Sequence, residues 1–456
     1  MTARRGSSPG ASDAAARVPT TTLWRSPQGS PRAHGPPGTD GASPLGPTRA
    51  IRRVPVAATV AVYLAALGAF VGIVAVRGGP SVGDAYGVTK PATALADGDL
   101  TAAANAAVLP QPPGYALLSA PFVVVFRPLI GADEWCDGRV PPVTRVFLPW
   151  CAPAQLATHH WYRSQAVLGI LAWVVLALGC VRLLRAAGAG GGLAELLLVV
   201  VLAAVPAASD GIVETFHPQD LVCVGLAGAG LAEALRRRWV ATGVLFGVAF
   251  LCKQFALLPL VAVLAAAPGW RQRARVLLPA AVVVGCGLLP FFVVDPGRTW
   301  NTLSAVNSGG VVKLTTGTVV GMTGLSENAK LLIARDGPVV LALVMGLWAR
   351  WRARDGLLAP VPLIGLATAC LAGRLVAEVW FASYYLLAVS AGLLVLDLAA
   401  RRPPVWSFLW IALTGVLVEQ AGGLPTTPLA AFLAMGAALV AVVIALRAVP
   451  ARVPST

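Results

Sequence analysis

From Val54 onward the chain alternates long apolar runs with short connections that carry arginine. The first run, VPVAATVAVYLAALGAFVGIVAV at 54–76, contains no charged residue and is long enough as a helix to cross a hydrocarbon core of about 30 Å. Further apolar runs cover 164–184, 192–209, 220–236, 239–253, 254–269, 276–294, 337–350, 358–378, 382–400, 404–421 and 427–447. Such repetition predicts an all-α polytopic membrane protein, because a helix satisfies its own backbone polar groups inside lipid. Several runs are short and predict tilted or broken helices. Residues 1–53 are rich in Pro, Gly, Ser, Thr and Arg without hydrophobic periodicity and read as a disordered cytoplasmic tail. The multi-span domain is then 54–447, with 448–456 as a cytoplasmic C-terminal tail.

Composition sharpens this picture. The 456 residues are 57% hydrophobic and only 12% charged, with a mean hydropathy of +0.75, whereas soluble chains carry about 25% charged residues. The net charge of +15 sets 31 Arg and 4 Lys against 20 acidic residues. Most of the arginines stand in clusters between apolar runs, which reports membrane orientation and argues against a nucleic-acid partner.

The segment 112–131, PPGYALLSAPFVVVFRPLIG, has four prolines and Arg127 and is read as non-spanning. Arg182/Arg185, Arg236/Arg237/Arg238, Arg271/Arg273/Arg275, Arg350/Arg352/Arg354 and Arg401/Arg402 then all face the cytoplasm. This gives about 12 crossings with both termini inside. Residues 77–163 form a first extracytoplasmic loop carrying interfacial helices, and 295–336 a second large external loop. All four lysines and most acids, including Asp84, Asp97, Asp99, Asp210, Glu214, Asp220, Asp295 and Glu378, gather at the outer face.

Candidate chemistry therefore lies outside. Asp84 is the first acid after the first span, placed either as an ordinary loop carboxylate or as a general base on a hydroxyl. Asp97 and Asp99 are expected to cap or exit a short helix. SDGIVETFHPQD at 209–220 packs Asp210, Glu214, His217 and Asp220 into one turn, readable as a structural turn or as a substrate-facing site. It lacks a strong metal-ligand spacing, so no metal is expected.

GVLFGVAFLCKQFALLPLVAVL at 243–264 is apolar except for Lys253 and Gln254. That lysine either snorkels to the interface or holds a phosphate. Arg374 and Glu378 stand at helical i,i+4 spacing, followed by Trp380, Tyr384 and Tyr385. Arg374 and Arg298 are anion-binding candidates, while the rings also fit an aromatic belt. Cys136 and Cys151 in the first loop are a candidate disulfide pair. No Walker sequence, dinucleotide fingerprint or zinc pattern is present, so no cofactor is expected.

Four stretches in order carry a resemblance: GDAYGVTKPATALADGD, PQPPGYALLSAPF, the block from FHPQDLVCVGLAGAG to VAFLCKQFALLPL, and WFASYYLLAVSAGLLVLD. With them the chain resembles bacterial integral-membrane glycosyltransferases of the GT-C superfamily, most closely the polyprenol-phosphate-mannose-dependent group, family 87 (DUF2029-like proteins). The resemblance covers roughly 80–400 and is most specific over 215–260. It implies a GT-C-like fold in a bacterial plasma membrane. It also implies transfer of a sugar, mannose foremost, from a polyprenyl-phosphate donor to a lipid or glycan acceptor on the extracytoplasmic face.

In that setting Asp84 takes the position of the catalytic base. Tyr86, Lys90, Glu214, His217, Asp220, Lys253, Gln254, Arg298, Arg374, Tyr384 and Tyr385 would line the substrate site. The chain departs from the family pattern at DLTAAANAAVLP, where a second tyrosine is common, and at Gln219, where an acid is common. The alternative reading is a transporter or flippase for a lipid-linked or anionic substrate.

Overall fold

A computed structural model of the chain describes residues 55–76, 82–106, 112–130, 159–213, 216–304, 320, 323–353, 356–378, 383–420 and 428–450. No strand occurs among them, and each apolar run foreseen from the sequence contains helix among the described residues. In chain order these are α1 (Val56–Val76), α2 (Val82–Ala96), α3 (Leu100–Ala106), α4 (Gly114–Ile130), α5 (His159–Ala186), α6 (Leu193–Ala204), α7 (Pro206–Val213), α8 (Pro218–Leu235) and α9 (Trp239–Cys252). They continue with α10 (Leu257–Ala266), α11 (Trp270–Val294), α12 (Pro296–Ser304), α13 (Glu327–Ala353), α14 (Pro360–Ala377), α15 (Leu386–Ala399), α16 (Val405–Gln420) and α17 (Pro428–Leu446).

Among the described residues, five helices are long and apolar enough to cross a membrane: α1, α5 over Val167–Ala186, α11, α13 and α14. The pair α6 and α7, bent by 43° at Val205, passes the same test as one unit. Segments of α4, α9, α15, α16 and α17, and residues Gln254–Ala266, form shorter apolar helices.

The core is centred on α8, which packs against α5 on one side and α9 on the other. Small residues set the first contact. A Cβ on Gly179 would stand 1.9 Å from the Gly225 carbonyl oxygen, and one on Gly225 would stand 2.4 Å from that of Val175. The two backbones therefore touch, the packing mode that small residues allow between helices in lipid. Apolar side chains such as Phe70, Leu176, Leu221 and Phe246 fill the remaining space. Lipid-compatible residues such as Leu64, Val282, Leu347 and Val440 cover the outside.

Helices α9 and α10 form a hairpin. Their far ends, Trp239 and Ala266, line one cleft, and the chain reverses at Lys253 and the 3-10 turn Gln254–Ala256. At 1.5 Å per residue, the 14 residues of α9 reach only about 21 Å from that cleft. That length is less than the thickness of a full hydrocarbon core, about 30 Å.

The first-loop helices cover the tip. Gly114 at the start of α4 is pressed against the Leu251 backbone, where a Cβ would come within 2.5 Å of the carbonyl carbon. Helix α2 packs on α4 and α3, while Ala103 and Ala104 of α3 bury Phe291 near the end of α11. Asp99 caps α3, its Oδ1 accepting from Ala102 N–H at 2.7 Å, as its place after the Ala-rich segment suggested. Asp295 caps α12 in the same way, through Arg298 N–H at 2.8 Å.

Within the segment read as non-spanning, residues 114–130 form helix α4 straight through Pro121, and its apolar part, Gly114–Val125, counts among the shorter apolar helices. One segment differs from the sequence reading. Helix α13 runs into the stretch expected as external loop and starts at Glu327. Ser326 caps it, with Oγ accepting from Ala329 N–H at 3.3 Å, and the following LLIA sequence supplies enough helix propensity to extend it. The tails 1–53 and 451–456 and the pair Cys136/Cys151 lie outside the described residues.

Candidate functional site

Three helix junctions meet beside Lys253. The first joins α7 to α8: Phe216 adopts a left-handed backbone (φ 44°), His217 N–H donates to Gly211 carbonyl oxygen, and Pro218 opens α8. The second is the hairpin tip, where Lys253 is extended (φ −158°, ψ 131°). The third follows α14, with Glu378 extended at its end and the 3-10 turn Ser383–Tyr385 leading into α15. The junctions interlock, since Gly211 leaves 3.3 Å between its missing Cβ and the Cβ of Tyr384. A larger residue at 211 would press on the turn that carries both tyrosines.

The side chains at these junctions form one buried polar cluster. Lys253 Nζ lies 3.3 Å from Asp220 Oδ2, with 13% and 2% of the two side chains exposed. Arg374 donates through Nε to Glu378 Oε1 at 2.7 Å, a pair almost as buried. Its guanidinium stands over the rings of Tyr385 (4.3 Å) and Phe255 (4.8 Å), and its charge acts on Asp220. His217 stacks on Tyr384 at 4.0 Å, and Tyr384 meets Tyr385 edge-on at 4.7 Å. Lys253 Nζ lies 5.9 Å from the Tyr384 ring centre, within cation–π range.

Two features separate this cluster from an ordinary set of ion pairs. The ammonium of Lys253 has three donors and one carboxylate partner among the described residues. Arg374 holds Glu378 through Nε, and neither Nη group donates to a described residue. Among the described residues, buried donors of both cations are thus uncommitted and suited to phosphate oxygens, which Arg binds as a planar fork and Lys as a point charge. Correspondingly, Asp220 Oδ1 is fully buried and accepts no hydrogen bond from a described residue, an arrangement that costs free energy unless a donor enters.

The structure thus brings together six residues singled out in the sequence: His217, Asp220, Lys253, Arg374, Tyr384 and Tyr385. It separates others. Gln254 turns away, donating through Nε2 to Leu303 carbonyl oxygen at 3.0 Å, and so ties α12 to the hairpin tip. Arg298 is exposed and clamps α3, donating to Asn105 Oδ1 (3.2 Å) and carbonyl oxygen (2.6 Å). Lys90 is half-buried on α2. Asp84 and Tyr86 also lie on α2, but their side chains, like Glu214 altogether, fall outside what is described.

Two neighbours escape sequence reasoning. Phe255 looks like any apolar residue of the hairpin, and only the fold puts it against Arg374. Tyr115 of α4 is buried, has no hydrogen-bond partner for its hydroxyl among the described residues, and lies within electrostatic reach of Cys252. Its signal was a phenol in an otherwise apolar, Pro-flanked stretch. Among the described residues no group of three or more His, Cys, Asp or Glu side chains converges as a metal site. No known protein family's sequence profile matches this chain, and no curated protein is significantly similar to it.

Proposed function

We propose that the cluster around Lys253 and Arg374 binds the phosphate of a polyprenyl-phosphate sugar, and that the protein transfers that sugar to a lipid or glycan acceptor on the extracytoplasmic side. The observation that carries this reading is the pair of buried cations, Lys253 at the tip of a hairpin shorter than a hydrocarbon core and Arg374 beside it, whose remaining donors have no partner among the described residues. A phosphate attached to a long apolar tail meets such a site by lying between helices with its head in the cluster. The departing phosphate gains charge during transfer, and fixed cations in a water-poor site stabilise that charge.

In this reading the domain crosses about 12 times, the arginine clusters face the cytoplasm, and Asp84 is the base on the acceptor hydroxyl. Support for Asp84 comes from position: it lies on α2, which packs on α4, whose first residue sits on Leu251 two positions before Lys253. The test is transfer of radiolabelled sugar from polyprenyl-phosphate donors by the full chain in proteoliposomes, for wild type, Asp84→Asn and Lys253→Met. The reading expects Asp84→Asn to bind donor without transferring sugar and Lys253→Met to lose donor binding. Transfer at wild-type rate by both variants would sink it.

One observation favours a second reading. The bend between α6 and α7 and the broken α9–α10 hairpin end beside the cluster, and transporters use such discontinuous helices to hold substrates. Movement of donor across proteoliposomes, without transfer of sugar, would select it.

A further inference from the structure

At the other end of the bundle a cleft of about 710 Å³ opens between the α8–α9 turn, the end of α10, the start of α11 and the end of α13. Arg237, Arg350, Gln272, Trp239 and Trp351 are among its walls. Its described lining contains no carboxylate. Arg350 spends Nη1 on the carbonyl oxygens of Ala265 (2.9 Å) and Ala267 (3.2 Å), which fixes its guanidinium. Arg273 caps the same helix end at Leu264 carbonyl oxygen (3.0 Å) and senses the charge of Arg350. The positive charge here is therefore concentrated and held in place.

Arg237 adds a second, independent observation. Helix α8 ends in a Schellman turn, with Arg237 N–H donating to Ala234 carbonyl oxygen and Arg238 N–H to Glu233 carbonyl oxygen, each at 2.9 Å. The turn places Arg237 at φ 59°, a position where glycine is the ordinary occupant because side chains are strained there. Its guanidinium has no partner among the described residues. The turn fixes the backbone from which this cation lines the cleft. Trp351 and Trp270, both largely exposed, place this level at the membrane interface, where tryptophan concentrates.

We infer that this cleft binds the phosphate headgroup of an anionic membrane lipid, with Arg237 and Arg350 as the cations and Trp239 and Trp351 flanking the glycerol region. Basic pockets between helices at the cytoplasmic interface suit such headgroups, and the volume is that of a small-molecule site.

The test uses the full chain in detergent, reading bound lipid by native mass spectrometry and Tm by intrinsic fluorescence. Phosphatidylglycerol, phosphatidylcholine and inorganic phosphate are the probes. Wild type should retain phosphatidylglycerol over phosphatidylcholine. Arg237→Gly should raise Tm in lipid-free detergent by relaxing the turn, yet bind phosphatidylglycerol about fivefold more weakly. These opposite signs separate lost binding from misfolding. Arg401→Gly, which relaxes the equivalent left-handed position after α15 (φ 54°) away from the cleft lining, should raise Tm without changing lipid retention. Equal retention of the two lipids by wild type, or unchanged retention in Arg237→Gly, would overturn the proposal. So would protection by inorganic phosphate equal to that by phosphatidylglycerol, which would assign the cleft to a soluble anion.

Discussion

Glu233 and Asp220 stand on the same helix, thirteen residues and so about 20 Å apart, and both are almost fully buried. Their surroundings are opposite. Glu233 accepts from Arg182 (2.6 and 3.0 Å), Arg236 (2.8 Å) and Arg238 (3.5 Å). Its neighbours at that end are treated alike: Glu195 accepts from Arg185, Tyr63 and Gly191 N–H, and Asp397 from both Ser407 N–H (3.1 Å) and Ser407 Oγ (3.0 Å). Asp220 has one lysine at 3.3 Å and, among the described residues, no donor to Oδ1. A carboxylate that saturates its acceptors fastens helices together. One that does not is holding capacity for something else.

The largest effect should come from breaking the Asp220 pair. Lys253→Met strands a buried carboxylate and should lower stability by about 3 kcal/mol, read as the denaturation midpoint in detergent. Adding Asp220→Leu should recover most of that loss, because an apolar pair of similar volume replaces a buried ion pair at little cost. Donor binding should stay lost in the double variant. If it returned, Lys253 would be a structural counter-ion and nothing more.

Next in size is Glu233→Gln, which leaves three arginines without their carboxylate. The arginines are partly exposed, so the expected loss is about 1–2 kcal/mol, with donor affinity unchanged. A fall in donor affinity at constant folded fraction would show that the two ends are coupled. Asp397→Asn weakens the tie to α16 and should cost about 1 kcal/mol. The smallest expected change is a gain: Arg401→Gly relaxes a left-handed turn and should stabilise by about 0.5 kcal/mol. All are measurable as shifts in Tm with bound donor as the second readout.

The arginine end was legible in the sequence because its logic is local. RRR at 236–238 and RR at 401–402 follow apolar runs directly, and the acids at the same helix ends, Glu233 and Asp397, lie within five residues of them. The opposite end was legible only as a set of residue types. Asp220, Lys253 and Arg374 each look anomalous against apolar surroundings, so each could be picked out. That Asp220 takes Lys253, and that Arg374 sits between Phe255 and Tyr385, depends on three junctions separated by more than 30 residues of chain. Arg298 shows the limit from the other direction. Its charge and its loop suggested an anion site, but Asn105, 193 residues away in sequence, occupies its guanidinium.

The backbone contact between α5 and α8 carries a consequence for the genetics of this protein. Because Gly179 and Gly225 meet carbonyl to Cα, even alanine at either position must push the helices apart over their length, and Asp220 rides on one of them. A saturation library scored for folded protein should therefore show near-empty columns at 179 and 225. The flanking apolar positions should accept one another's residues freely. Such a pair, invisible to any reading that looks for reactive groups, would mark the α5–α8 wall as the least evolvable surface in the chain.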